Sequence, residues 1–168
     1  MATSPSANSL QAGFDRIKVL VESMSRQTHA GATMLVAAAL DRLLESALQT
    51  KFSRDNRETR DSVFGEYGVL RDFSAKITMS FALGVIDRET QKRLTAIRRL
   101  RNFFAHTRDY INFESELVRA LVSKEFGSAV PISSIAELIS IAEEIELEIL
   151  KTAKLPQQPT VGKLKDIL

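Results

Sequence analysis

Between Phe73 and His106 the chain reads FSAKITMSFALGVIDRETQKRLTAIRRLRNFFAH, two amphipathic stretches joined by Gly84-Val85-Ile86-Asp87. In the first, Phe73, Ile77, Phe81 and Gly84 recur at helical spacing, with Met79, Ala82 and Leu83 widening the apolar side. In the second, Leu94, Ile97, Leu100 and Phe104 make a narrower stripe ringed by Lys92, Arg93, Arg98 and Arg99. Gly84 is placed to end one helix in a left-handed conformation, and Asp87 to cap the next, with Glu89 in its first turn.

The remaining chain also has helical periods. Phe14, Ile17, Leu20, Val21 and Met24 give one buried face. The stretch 28–51 is apolar almost all round from Met34 to Leu40, which predicts a helix central to the core. Stretch 112–124 carries Phe113, Leu117, Leu121 and Val122. A capping-box pattern at Ser134-Ile135-Ala136-Glu137 opens a stripe of Ile135, Leu138, Ile139, Ala142, Ile145, Ile149 and Leu150, stopped by Leu155-Pro156. The acidic residues Glu143, Glu144, Glu146 and Glu148 on this helix read as a solvated face. Stretch 52–71, charged and then punctuated by Gly65 and Gly68, reads as a surface loop with one short turn around Val63–Tyr67. No period-two run occurs. The expectation is an all-α fold, one domain of about five to seven helices over residues 10–155, with a disordered start at 1–9 and a flexible tail at 156–168.

At 168 residues and 44% hydrophobic content the chain can bury a real core. It has no cysteine, which excludes disulfides and thiolate chemistry and fits a cytoplasmic setting. No secretory leader or membrane-spanning run is apparent. A net charge of +2 is too small to imply nucleic acid by itself. His29 and His106 are far apart, with no metal-ligand spacing around either, so neither metal nor cofactor is expected.

Four charged residues lie beside apolar stripes: Asp41 and Glu45, four apart on one helix, with Lys76 and Arg101. Buried charge needs a partner, so these predict a polar cluster in or near the core, with Arg101 forking onto Asp41 or Glu45. Arg101, Asn102 and His106 also allow a functional reading, in which Arg101 holds a phosphate and His106 is a general acid or base. The structural reading has Arg101 clamping the fold and the other two satisfying a helix end. Arg93, Arg98, Arg99 and Arg108 are candidate nucleic-acid contacts, although Arg98 and Arg99 point about 100° apart.

The blocks Leu35-Val36-Ala37-Ala38-Ala39-Leu40-Asp41 with Glu45, Phe73-Ser74-Ala75-Lys76-Ile77, Ala82-Leu83-Gly84-Val85-Ile86, and Ile97 through His106 resemble, in order, the mannitol operon repressor family of bacterial proteins. Arg42 stands where that family has an acidic residue. The R-N-x-x-x-H string at Arg101–His106 is also similar to the HEPN superfamily of helical proteins, several of them RNases using an Arg and a His. In the nuclease branch a Tyr follows that His by two residues. Arg108 occupies the position here, and Tyr110 is displaced. The resemblance implies a HEPN-like bundle and a cytoplasmic transcriptional regulator, a monomer or homodimer. Because no base-reading helix is evident, the expected partner is a protein, such as a transcription factor or sugar-uptake component, with specific DNA binding by the chain alone not expected. The alternative is an RNase or RNA-binding protein using Arg101 and His106.

Overall fold

The computed structural model describes residues 29–54, 56–107, 111–127 and 132–154. Among them are six helices and no strand: α1 (His29–Gln49), α2 (Arg57–Phe64), α3 (Phe73–Ala82), α4 (Arg88–His106), α5 (Glu116–Phe126) and α6 (Ile135–Ala153). The expectations for the first nine residues, for the helical pattern at 10–24 and for the tail from 156 lie outside the described residues. No described helix is long and apolar enough to cross a membrane.

α1 is the hub. It packs on α6, α4 and α3, and α4 in turn packs on α3 and α5. Leu40, Leu44, Ala47 and Leu48 of α1 are fully buried, as are Leu94 and Ile97 of α4 and Leu138, Ala142 and Ile149 of α6. Met34 and Ala38 face out, so α1 has one exposed edge rather than the all-round burial its composition suggests.

The α3–α4 hairpin forms as its sequence requires. Gly84 has φ 66°, its N–H donates to the Phe81 carbonyl at 3.1 Å, and Val85 N–H donates to the Ser80 carbonyl at 2.8 Å. That pair of bonds is a Schellman cap. Asp87 Oδ1 then accepts from Thr90 N–H at 2.7 Å and starts α4. α6 opens on a complete capping box between Ser134 and Glu137.

Four expectations are corrected. The stretch 52–71 holds a full helix, α2, in place of a single turn. None of its residues is buried, so no apolar stripe betrays it. Its start is held by Asn56, whose side chain accepts from Thr59 N–H at 2.8 Å, and an Arg57–Asp61 pair at 3.6 Å spans one turn. On α3, Met79, Ala82 and Leu83 are exposed, and the buried face is completed by Lys76 and Ser80. On α5 the buried residues are Val118 and Val122, while Leu117 is exposed. The acidic face of α6 is not simply solvated. Glu146 is 2% exposed, Glu144 pairs with Arg93 of α4 at 2.8 Å, and Glu148 accepts from Thr90 Oγ1 and from Asp87 N–H at the start of α4. A carboxylate there answers unpaired N–H groups and the positive end of the helix dipole.

Core and cap contributions should separate in experiment. Ile97→Ala should lower the unfolding free energy by about 2–5 kcal/mol in a urea titration, through lost burial and a cavity. Asn56→Ala should cost only about 1 kcal/mol. Because α2 buries nothing, the loss should appear as faster amide hydrogen exchange within α2.

Candidate functional site

Lys76 is the most unusual side chain of the bundle. It lies on the inward face of α3 at 4% exposure, and its Nζ reaches Glu45 Oε2 at 2.8 Å and Asp41 Oδ2 at 3.2 Å. Asp41 and Glu45 come together because they stand one turn apart on α1. A flexible stem ending in a point charge suits a position between two carboxylates. The segment around α2 closes the site from above: the Phe64 ring centroid is 5.9 Å from Lys76 Nζ, and Phe64 stacks on Phe52 at 5.6 Å.

Arg101 is placed differently from the expectation. No described carboxylate lies within ion-pair distance of it, so the forked pair with Asp41 or Glu45 does not form; Lys76 takes both carboxylates instead. Arg101 stays close enough for its charge to act on Asp41. Its Nε and Asp41 Oδ1 are both buried without a hydrogen-bond partner. Burial pushes the Asp41 carboxyl above its usual 3.8, with Lys76 pulling against that rise, Glu45 adding to it and Arg101 opposing it.

The remaining candidates do not converge on a cleft. Asn102 is half-buried on α4, and His106, in its last turn, is exposed. Arg93 is bound to Glu144 at 2.8 Å and lies 3.6 Å from Glu89, and Arg99 to Glu125 of α5 at 2.5 Å. Arg98 is half-buried, and Arg108 lies outside the described residues. Two of the four arginines considered as nucleic-acid contacts therefore tie helices of this chain together.

His29, which the sequence left without a role, closes the other end of α1. Its Nδ1 accepts from Phe113 N–H at 2.9 Å, which leaves the ring proton on Nε2, and its ring lies 5.0 Å from that of Phe113. Phe113 meets Phe104 edge-on at 5.6 Å, so the segment before α5 is fastened to both α1 and α4. Nothing in the local spacing of His29 announces this, because its partner is 84 residues away.

Compared with family models, curated proteins and solved structures, the chain matches none.

The charge cluster should respond asymmetrically to mutation. Asp41→Asn with Glu45→Gln strands a buried ammonium and should cost about 3–5 kcal/mol. Lys76→Met leaves two carboxylates that are each about a third exposed and can rehydrate, so it should cost less, about 1–3 kcal/mol. Equilibrium urea unfolding of the two variants at neutral pH checks the order.

The pH dependence has a definite sign. Asp41 binds its proton more tightly folded than unfolded, so its contribution favours the native state at pH below 3.8 and is lost as pH rises through the raised folded value. The stability of wild type relative to Asp41→Asn should therefore fall as pH rises across that window. Asp87, held below 3.8 chiefly by the Thr90 N–H, works the other way, contributing above 3.8 and losing its contribution as pH falls through its lowered folded value. Denaturant titrations from pH 3 to 7 on wild type, Asp41→Asn and Asp87→Asn separate the two.

Proposed function

We propose that the protein is a transcriptional regulator of the mannitol operon repressor type that acts through contact with a protein partner. The blocks quoted above carry the family resemblance. One structural observation favours protein contact over DNA: two arginines of α4 are engaged by carboxylates of neighbouring helices, Arg93 by Glu144 and Arg99 by Glu125. Specific DNA recognition needs side chains free to fix register on phosphates and others reaching base edges. Internal ion pairs would have to break first, and Glu125 and Glu144 would then face the duplex.

One observation favours a second reading as an RNase or RNA-binding protein. Arg101 is not consumed by a carboxylate, and His106 is exposed one turn beyond it on the same helix. Against it stand the absence of a Tyr two residues after His106 and the position of His106 in the last turn of α4, at the negative end of its dipole, which disfavours a phosphate there.

Anisotropy titrations at physiological salt, using the native mannitol promoter and a scrambled duplex, should give weak and nearly equal binding. A preference for the promoter on the order of a thousandfold would overturn the reading. In parallel, purified protein incubated with mixed RNA should leave it intact; cleavage abolished by His106→Ala would favour the nuclease.

A further inference from the structure

We infer that the contact between His29 and Phe113 is an acid-sensitive latch: a proton taken up at Nδ1 turns the acceptor of the Phe113 N–H into a second donor and frees the segment leading into α5 from the start of α1. The Phe113 N–H donates to His29 Nδ1 at 2.9 Å, a bond that exists only while the ring is neutral. A backbone N–H cannot accept, so an imidazolium meets it with repulsion. Imidazole is the side chain that ordinarily gains its charge between about pH 5 and 8.

The segment is built to come away as a unit. Within residues 112–115 the Asn112 N–H donates to Ser115 Oγ at 3.0 Å, the Glu114 N–H to Asn112 Oδ1 at 3.0 Å and the Ser115 N–H to the Asn112 carbonyl at 3.1 Å. Three of the four amides of this turn are therefore satisfied inside it, and that of Phe113 leaves it for another element. α5 itself packs on α4. The His29 bond is thus the polar link between a self-contained turn and α1, with the Phe113 ring, fully buried, held between His29 at 5.0 Å and Phe104 at 5.6 Å.

The surroundings give a charged ring no compensation. His29 opens α1, whose first turn has no acidic residue, so the positive end of the helix dipole opposes a further cation there. On the segment and the start of α5 the acids are Glu114 and Glu116, both exposed, and neither is paired with the ring. α4 adds Arg101 and His106 near its end, which are further positive groups. On α6, Glu137 of the first turn accepts from Ser133 and Ser134, and Glu144 and Glu148 are taken by residues at the start of α4. Asp41 and Glu45, about three turns and more along α1, are held by Lys76.

The test is amide NMR of the full chain from about pH 8 to about pH 5, the span in which imidazoles charge. Wild type is compared with His29→Asn, whose Oδ1 takes the place of Nδ1 and has no proton to gain, and with His106→Asn, which removes the other histidine. In wild type the Phe113 amide resonance should move upfield along the same curve as the His29 ring signals. Its protection against hydrogen exchange, corrected for the intrinsic pH dependence, should fall on the order of tenfold. In His29→Asn the amide should keep its position and protection throughout, and in His106→Asn it should behave as in wild type. An amide that stays put while the His29 ring charges would overturn the inference, as would a ring that remains neutral down to about pH 5. Both of those outcomes are read on wild type alone, so they decide the matter even if His29→Asn does not fold. An equal response in His29→Asn, or a response lost in His106→Asn, would overturn it as well.

Discussion

A single buried ammonium organises the middle of this bundle. Lys76 enters the apolar contact between α3 and α1, and burial there is tolerable only because Asp41 and Glu45 meet it one turn apart. The arrangement fixes the rotation of α3 on α1, since turning either helix would leave a charge in the core. It also reaches outward. The cation lies beneath Phe64, so the segment carrying α2, which has no buried residue of its own, is seated on a charge that belongs to the core. Helix register and the position of the outer loop thus depend on one side chain.

The same logic applies along α4. Its polar residues look like a basic face, yet they act as crossbraces: Arg93 to α6, Arg99 to α5, and Thr90 to Glu148 of α6. Surface ion pairs individually contribute little. Here they bridge different helices around an apolar stripe, and they consume positive charge that could otherwise have attracted phosphate. These pairs leave less uncompensated positive charge along α4 than its sequence alone suggests.

The parts of this fold that were legible in the sequence are those in which one helix carries its own instructions. The turn at Gly84–Asp87, the stripe from Leu94 to Phe104 and the capping box at Ser134 are all local patterns, and each forms. Lys76 among apolar neighbours, with two carboxylates spaced by a helical turn, also pointed to a buried cluster. What could not be read was pairing at a distance. The sequence pairs Arg101 with the carboxylates of α1, and only the packing of α3 on α1 gives them to Lys76 instead. His29 needed the backbone of Phe113. Met79, Leu83 and Leu117 are apolar residues at the margins of their stripes, and periodicity alone does not say where a stripe ends. α2 escaped notice because a short polar helix secured by a cap has no hydrophobic period.

The position of α1 in the chain has a kinetic consequence. The α3–α4 hairpin closes over the five residues 83–87 and is among the first things such a chain can form. α1 precedes that hairpin, but one of its principal partners, α6, is the last of the described helices. During synthesis the apolar surface that α1 keeps for α6 must wait until about a hundred further residues have emerged, covered only in part by α3 and α4. Apolar surface uncovered for that interval is prone to aggregation. The His29–Phe113 bond then has a meaning beyond stability. Both of its partners precede α6 in the chain, so this tether between the start of α1 and the segment leading into α5 can form before α6 has been made.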